Sequence, residues 1–161
     1  FPGVVMLIPL YLILDALGLL DSLTGLALVY STTSVPFSVW MLKGYFDTIP
    51  TDLEEAAELD GCSRWQTFLW VILPLARPAL AVVALFSFMT AWNEFILAQT
   101  LMGDPRSYTL PVVLQRYVSD YGTEWGHFAA GSILVSLPVM ILFFALQRHF
   151  VEGLTAGSVK G

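Results

Sequence analysis

Two groups of polar side chains have types and spacings that could do chemistry. One is an acidic run in the middle of the chain, with members Glu54, Glu55, Glu58 and Asp60. The other is a polar stripe in a long apolar segment, with members Ser87, Thr90, Trp92, Asn93 and Glu94. Carboxylates and hydroxyls could transfer protons, hold a cation or bind the hydroxyl groups of a sugar. Which of these applies depends on the elements that carry the two groups.

The polar stripe predicts a substrate pathway. At 3.6 residues per turn, Ser87, Thr90 and Glu94 fall within about 60° on one helical face, with Asn93 to one side and Trp92 to the other. A carboxylate within a membrane span is costly and normally faces a bundle interior or a watery cavity. Hydroxyl, amide and carboxylate groups bind sugar hydroxyls, and an indole stacks on a sugar ring. The stripe is therefore a hypothesis for sugar contact.

The same stripe has a structural interpretation, which the residues alone leave open. Ser87 and Thr90 could donate to preceding carbonyls of their own helix. Asn93 could join neighbouring helices through hydrogen bonds. Glu94 could lie at the outer membrane interface, since it follows Arg77 by about 25 Å of helix.

The acidic run predicts a short helix that ends at a glycine corner. Thr51 and Glu54 match the pattern of a capping box after Pro50, which favours a helix start at that point. Gly61 is placed to end this helix in a left-handed conformation. Ser63 and Gln66 repeat the capping pattern, so a second helix is expected to begin there and to run towards the third apolar segment.

The short helix has a face suited to contact with another protein. At 100° per residue, Leu53, Ala56, Ala57 and Asp60 share one arc, and the two alanines would let a partner approach the backbone closely. Glu58 and Asp60 lie near the C-terminus, where the helix dipole disfavours negative charge. This arrangement hints at a cationic partner. The alternative is a solvated acidic loop.

Composition indicates a membrane protein and excludes several kinds of chemistry. Hydrophobic residues make up 57% of the chain and charged residues 12%, about half of the roughly 25% that is typical of soluble domains. The net charge of −6 offers no basic face for a nucleic acid. Cys62 is the single cysteine, and His127 and His149 lie far apart, so no metal site is expected. No glycine-rich phosphate loop is present, so another polypeptide would hydrolyse ATP.

Four apolar segments are candidates for membrane spans, because about 20 apolar residues of helix cross a bilayer core of about 30 Å. The predicted spans are residues 1–15 (incomplete), 23–42, 75–101 and 126–147, with a loop at 43–74 and a tail at 148–161. Pro36 and Pro138 are tolerated within spans where neighbouring helices satisfy the freed carbonyls. The chain is expected to be one transmembrane domain that begins inside a longer protein.

The distribution of Lys and Arg predicts the orientation of the spans. Five of the seven basic residues lie between Leu42 and Arg77 or after the last span, which makes that side cytoplasmic. The loop between the third and fourth spans would then face outwards. Its aromatic residues Tyr117, Tyr121 and Trp125 suit the outer interface.

At the central loop the sequence resembles a known family. Glu55-Ala56-Ala57, Asp60-Gly61 and Ile72-Leu73-Pro74 are similar to the EAA loop of the membrane subunits of ABC importers. Further segments resemble the carbohydrate-uptake branch of that family, and in particular its maltose/maltodextrin (MalG) type. These segments are Lys43-Gly44-Tyr45-Phe46, Trp92-Asn93-Glu94-Phe95, Ser107-Tyr108-Thr109-Leu110 and residues 153–161. The resemblance covers essentially the whole chain.

The resemblance implies an all-helical, MetI-like permease fold, of which this chain carries the last four spans and the helical cytoplasmic loop. It implies that a coupling helix enters a cleft of the ATPase subunit through Glu55, Ala56, Ala57, Asp60 and Gly61. This chain would hold no cofactor, since ATP and magnesium would be bound by the ATPase. The implied partners are a homologous second permease subunit, two ATPase subunits, an extracytoplasmic sugar-binding protein, the sugar and membrane lipid.

The implied function is import of maltose, maltodextrin or a related di- or oligosaccharide across a bacterial or archaeal cytoplasmic membrane. One alternative is an importer of another solute, such as glycerol phosphate, an amino acid or a peptide. An intramembrane enzyme using Glu94 as acid or base is a second alternative, but the spans lack a paired Asp, a His dyad or metal ligands. A structural membrane anchor is a third, and it would leave the pattern of the loop unexplained.

Overall fold

The computed structural model of the protein describes the backbone of residues 3–119 and 122–156. Apart from one antiparallel ladder of two residues per strand, its regular elements are helical, which confirms the predicted all-helical class. The α-helices are α1 (Leu7–Ala16), α2 (Leu23–Phe46), α3 (Asp52–Leu59), α4 (Arg64–Thr67), α5 (Leu73–Leu75), α6 (Arg77–Trp92), α7 (Ile96–Leu101), α8 (Leu110–Gln115) and α9 (Trp125–Ala156). Strands β1 (Val118–Ser119) and β2 (Gly122–Thr123) precede α9.

Three shorter helical pieces complete the description. The 3₁₀ turn Gly3–Met6 leads into α1, and the 3₁₀ turn Pro105–Ser107 leads towards α8. A π-helical turn, Phe68–Ile72, joins α4 to α5. In the predicted tail, α9 continues as far as Ala156, and residues 157–161 lie outside the described residues.

Two helices of the described chain are long and apolar enough to cross a membrane. They are α2, with 24 residues, and the first 23 residues of α9, Trp125–Gln147. A third candidate is the pair Arg64–Leu75 and Arg77–Trp92, which is bent by 70° at its break. Within the apolar 18-residue stretch of each helix, 17% of the residues of α2 and none of those of α9 are buried within the chain. Such surfaces suit lipid or neighbouring membrane helices.

The third predicted segment differs from an uninterrupted helix. The apolar pattern predicted one span within residues 75–101, whereas α6 ends at Trp92 and α7 begins at Ile96. The physical reason lies in two polar side chains at the break. The amide of Asn93 donates to the Met89 carbonyl, and the carboxylate of Glu94 accepts from the first amides of α7.

The chain forms two compact units, which are described separately. The first contains Phe1–Ser34 and Met89–Met140. Its core brings together one end of α1, the beginning of α2, α7 and α8 through Leu14, Leu26, Val29, Ala98, Leu101, Met102 and Val112. The second unit contains Val35–Phe88 and Ile141–Gly161. Among the described residues, its buried side chains lie on α3, on residues 64–76 and on α6, and they are Ala57, Thr67, Ile72, Ala76, Ala79, Ala81, Val83 and Leu85.

Candidate functional site

The C-terminus of α3 forms the glycine corner that the sequence predicted. Gly61 has a φ of +88°, the left-handed conformation that other residues adopt only at a cost. The amide of Gly61 donates to the Glu58 carbonyl, and the amide of Cys62 donates to the Ala57 carbonyl, each at 3.0 Å. These two bonds are the pair of a Schellman motif. The end of α3 is therefore fixed by the backbone, with Asp60 as its last half-helical residue.

Of the two predicted capping boxes, one is present. Ser63 caps α4, because its hydroxyl accepts from the Gln66 amide while the Gln66 side chain accepts from the Ser63 amide. The box predicted at Thr51 and Glu54 is wrong. Thr51 has helical backbone angles and makes no side-chain cap bond, since a turn after Pro50 already leads the chain into α3.

Burial along α3 differs between its two alanines. Ala57 is 7% exposed and packs inside the second unit, whereas Ala56 is exposed. Glu55 and Leu59 are one helical turn apart and lie about 160° from Ala57 around the axis, on the opposite side of the helix. Leu59 is 89% exposed. Leu59 was not among the residues predicted from the sequence, although an apolar residue among acids near a helix end was a signal that could have identified it.

An arm of mixed helix type leads from the glycine corner to the third apolar segment. The predicted second helix begins after Ser63, but its middle is the π-helical turn Phe68–Ile72. Pro74 has no N–H to donate to the carbonyl of Trp70, and irregular turns of this type arise at such positions. The arm then bends by 70° into α6.

The end of α2 contacts this arm at two places. The hydroxyl of Tyr45 donates to the Leu75 carbonyl at 2.9 Å, directly before the bend. The rings of Phe46 and Phe68 meet edge to face with centroids 6.5 Å apart. These contacts tie the last turn of α2 to the start of the π-helical turn at Phe68 and to the end of α5 at Leu75.

A cleft of about 470 Å³ lies beside α3 in the second unit. Its lining residues are Phe46, Glu54, Glu58, Arg64, Thr67, Phe68 and Ile72. The hydroxyl oxygen of Thr67 is buried without a hydrogen-bond partner. The side of α3 that carries Glu54 and Glu58 therefore faces a partly polar space formed by the chain itself.

Glu94 lies at the break between α6 and α7, and three groups donate to its carboxylate. Oε1 accepts from the amide of Leu97 at 2.8 Å, and Oε2 accepts from the amide of Ala98 at 2.9 Å. Oε2 also accepts from the hydroxyl of Tyr30 on α2, at 2.9 Å. The carboxylate therefore satisfies the free amides at the start of α7 and joins α7 to α2.

The other members of the polar stripe have separate surroundings. The indole of Trp92 donates to the Val135 carbonyl on α9 at 3.0 Å, and the Asn93 amide donates back to Met89. Ser87 lies 3.5 Å from the hydroxyl of Ser38, while Thr90 is exposed on α6. Because α6 ends at Trp92, a straight helix does not align Glu94 with Ser87 and Thr90.

The two histidines and the interface aromatics are described only in part. His127 stacks on Tyr117 and pairs with Glu124, its Nδ1 lying 2.9 Å from a carboxylate oxygen. The side chain of His149 and the whole of Tyr121 lie outside the described residues. Among the residues whose positions are described, no group of three His, Cys, Asp or Glu side chains could hold a metal ion.

Residues 1–155 match the family described as the binding-protein-dependent transport system inner membrane component. The chain belongs to this family. The match confirms the resemblance drawn from the EAA pattern. This inner membrane component is 44% identical over 166 residues to the maltose/maltodextrin transport system permease protein MalG of Escherichia coli K12, covering 100% of this chain and 56% of MalG.

Two further relatives are similar to this inner membrane component over almost its whole length. It is 44% identical over 156 residues to the galactooligosaccharides transport system permease protein GanQ of Bacillus subtilis, covering 96% of this chain and 55% of GanQ. It is 46% identical over 160 residues to a putative ABC transporter permease protein, ORF1, of Streptomyces antibioticus, covering 99% of this chain and 70% of ORF1. The chain thus spans little more than half the length of MalG and GanQ.

A solved structure confirms the fold of this inner membrane component. It is similar to a chain in the crystal structure of a bacterial ABC transporter involved in the import of the acidic polysaccharide alginate. The TM-score is 0.70 at 29% sequence identity, and the match covers 89% of this chain and 55% of that chain. A permease fold of the ABC importers therefore accounts for the helical elements described above.

Proposed function

We propose that this chain is a membrane-spanning subunit of an ATP-driven, binding-protein-dependent importer of di- or oligosaccharides. Two relatives are named as permease proteins of transport systems for maltose/maltodextrin and for galactooligosaccharides, at 44% identity in each case. The chain acts as a transport subunit and not as an enzyme. An ATPase subunit, present as two copies, hydrolyses ATP, and a second permease subunit completes the pathway.

The observation that carries the proposal is the architecture of α3. Its two ends are fixed, at Gly61 by the Schellman motif and after Pro50 by a turn, and its inner side rests on the chain through Ala57. Its outer side presents Glu55 and Leu59, an acid and an apolar group one turn apart. This face supports contact with the ATPase, with Ala56, Asp60 and Gly61 along its edge.

Ala57 has a different part in the proposed coupling. Because it is buried and α3 contacts α4 and the π-helical turn, we assign Ala57 to holding α3 on the arm, and through α3 to the coupling. A push on α3 therefore moves the arm with it. The arm runs into α6 across the 70° bend, where the Tyr45 hydroxyl holds the Leu75 carbonyl. Closure of the ATPase subunits would thereby reach the third span.

The polar stripe remains our proposal for the sugar pathway. Thr90 and Asn93 are exposed within this chain, which supports contact with a substrate or a neighbouring subunit. Ser87 and Trp92 lie on α6 with Thr90. Three groups donate hydrogen bonds to Glu94, so its main role is to stabilise the break between α6 and α7. Contact with the sugar would use a remaining lone pair of the carboxylate.

The proposed orientation places the loop 43–74 and the tail after residue 147 in the cytoplasm. Five of the seven Lys and Arg residues lie on that side, as the positive-inside rule requires. The turn between α1 and α2 and the segment from α7 to β2 then face outwards. The family description, an inner membrane component, supports a location in a bacterial or archaeal cytoplasmic membrane.

Uptake by the complete transporter tests this function. The full-length subunit, its permease partner and its ATPase are reconstituted in proteoliposomes with ATP on the ATPase side and a solute-loaded binding protein on the other. We expect ATP-dependent uptake of a labelled maltodextrin or galactooligosaccharide. Glycerol phosphate, amino acids and peptides serve as the comparison panel, and uptake of one of these without any sugar uptake contradicts the proposed substrate class.

A further inference from the structure

Asp21, in the turn between α1 and α2, has an unusual backbone conformation. Its φ of 55° lies in the left-handed region, and among the described residues it is the only one other than glycine with a positive φ. Aspartate tolerates this region better than most residues, but at a cost. Hydrogen bonds to the segment at residues 101–107 of the same polypeptide compensate for this backbone strain.

Asp21 makes four hydrogen bonds to that distant segment. Its Oδ1 accepts from the amide of Gly103 and, at 2.9 Å, from the amide of Asp104. Its own amide donates to the Leu101 carbonyl at 3.2 Å, and its carbonyl accepts from the hydroxyl of Ser107 at 3.2 Å. Asp21 therefore fixes the segment that follows α7, from residue 101 to the end of the 3₁₀ turn at Ser107.

The fixed segment in turn positions a tyrosine and an arginine. The hydroxyl of Tyr108 donates to the Gly103 carbonyl at 3.1 Å and accepts from the guanidinium of Arg116 at 2.7 Å. The guanidinium carbon also lies 4.3 Å from the centre of the Tyr108 ring, a cation–π contact. Both residues line a cleft of about 460 Å³, together with Gln99, Met102, Val112 and Gln115 among others.

Arg116 is exposed at this cleft. The carboxylate of Asp104 accepts from the Arg106 amide at 2.9 Å, and that of Glu124 pairs with His127. Within residues 3–119 and 122–156, Arg116 forms no ion pair with a described side chain. Because its side chain is exposed, a carboxylate from another molecule can reach the guanidinium.

We propose that Asp21 is a positioning residue that holds Tyr108 and Arg116 in place for an acidic patch on the solute-binding protein. The proposal rests on the proposed function, because it needs this side of the chain to face outwards. The family is a binding-protein-dependent transport system, and a carboxylate on a partner protein would form a charge-assisted hydrogen bond with the exposed guanidinium of Arg116. Asp21 would contact the partner only through the segment it holds.

Three substitutions at Asp21 separate its two properties. Asp21→Gly relieves the left-handed backbone but removes the acceptor. Asp21→Asn keeps an acceptor oxygen and tolerates the left-handed region. Asp21→Ala removes the acceptor and retains the strain. If holding the segment is the role, Asn substitutes for Asp and Gly does not; if backbone conformation alone matters, Gly substitutes fully.

The experiment titrates the complete reconstituted transporter with sugar-loaded binding protein and measures ATP hydrolysis. For Asp21→Gly and Asp21→Ala we expect the half-saturating concentration of binding protein to rise about tenfold, with the maximal rate at saturation kept within about twofold. For Asp21→Asn we expect a rise of less than about threefold. A merely structural role would lower the maximal rate without this shift.

Arg116→Gln tests the partner's charge without disturbing Asp21, and Arg106→Gln removes the same charge from an exposed residue that does not line the cleft. The first should raise the half-saturating concentration about tenfold and flatten its dependence on salt, and the second should leave both within about twofold. Equal half-saturation for wild type, Asp21→Gly and Arg116→Gln overturns this inference alone. A wild type that no sugar-loaded binding protein stimulates overturns the proposed function and this inference with it.

Discussion

The hydroxyl of Tyr30 on α2 donates a 2.9 Å hydrogen bond to the carboxylate of Glu94, the same group that accepts from the first amides of α7. Non-helical backbone at membrane depth is tolerated where protein groups satisfy its donors and acceptors. The break at residues 93–95 meets this condition through one side chain. Directly after the break, Ala98 is completely buried in the core of the first unit.

Substitutions of this pair should lower stability in a graded order. Tyr30→Phe removes one hydrogen bond and should cost about 1 kcal/mol, whereas Glu94→Ala leaves two amides and a hydroxyl without their acceptor and should cost about 3 kcal/mol or more. Glu94→Gln should fall between them, because its amide keeps one acceptor oxygen. Thermal denaturation of the purified complete transporter measures the order. An unchanged midpoint for Glu94→Ala would contradict the capping role.

The same glutamine variant separates capping from sugar contact. If Glu94 acts only on the break, Glu94→Gln should keep the sugar concentration that half-saturates uptake within about twofold while its denaturation midpoint falls. If the carboxylate also binds sugar, that concentration should rise about tenfold or more, since a charged hydrogen bond is lost. Uptake assays at several sugar concentrations distinguish the two outcomes.

The two predicted capping boxes provide a matched pair of substitutions. Ser63→Ala removes a cap whose bonds are present and should destabilise α4 by about 1 kcal/mol. Thr51→Ala removes no cap bond and should change local stability by less than about 0.5 kcal/mol. Amide hydrogen exchange over residues 51–67 of the assembled transporter reports both. Equal effects of the two substitutions would be incompatible with the caps as described.

Gly61→Ala should destabilise the glycine corner through its backbone alone. No atom lies within 4 Å of the place that a Cβ at residue 61 would occupy, so space is not limiting. The φ of +88°, however, costs a residue with a side chain about 1–2 kcal/mol. Gly61→Asn should cost less, because Asn visits this region more readily. We expect faster exchange of the amides of residues 61 and 62 in the alanine variant. Identical exchange in wild type and Gly61→Ala would rule out strain at this corner.

Leu59→Ser should weaken binding of the ATPase without destabilising the chain. Leu59 is 89% exposed, so its loss should leave the denaturation midpoint nearly unchanged, whereas burial under a partner is worth about 2 kcal/mol for a leucine. Leu53→Ser is the matched control, because Leu53 is about 120° away around the helix, on the side of Ala57. The affinity of the purified ATPase for the membrane subunits measures the effect. A larger loss for Leu53→Ser than for Leu59→Ser would contradict the proposed contact face.

The sequence was most informative where local chemistry determines local structure. The left-handed conformation at Gly61 and the capping box at Ser63 follow from residue types within a few positions, and both are present. The Thr51 box failed because a turn after Pro50 makes the same contribution to the helix start. The burial of Ala57 depends on the arm that packs against it, which an arc drawn on an isolated helix does not include.

The sequence alone does not predict the long-range contacts. The apolar run from Leu75 to Leu101 has the hydropathy of one span, and nothing local distinguishes a carboxylate that lines a pathway from one that caps a helix. The pairing of Glu94 with Tyr30 joins residues 64 positions apart, and that of Asp21 with Gly103 joins residues 82 positions apart. The residue types around Asp21 do not predict its partners at residues 101–107.

The central claim is that α3 couples ATP hydrolysis to sugar import, and the most direct test is the ratio of sugar imported to ATP hydrolysed. Proteoliposomes with the wild-type transporter are compared with those carrying Glu55→Ala together with Leu59→Ser. We predict that the wild type shows a constant ratio and that its ATP hydrolysis depends on sugar-loaded binding protein. In the double variant, the ratio of sugar imported to ATP hydrolysed should fall about tenfold or more. Sugar import by the double variant at the wild-type ratio would contradict the account.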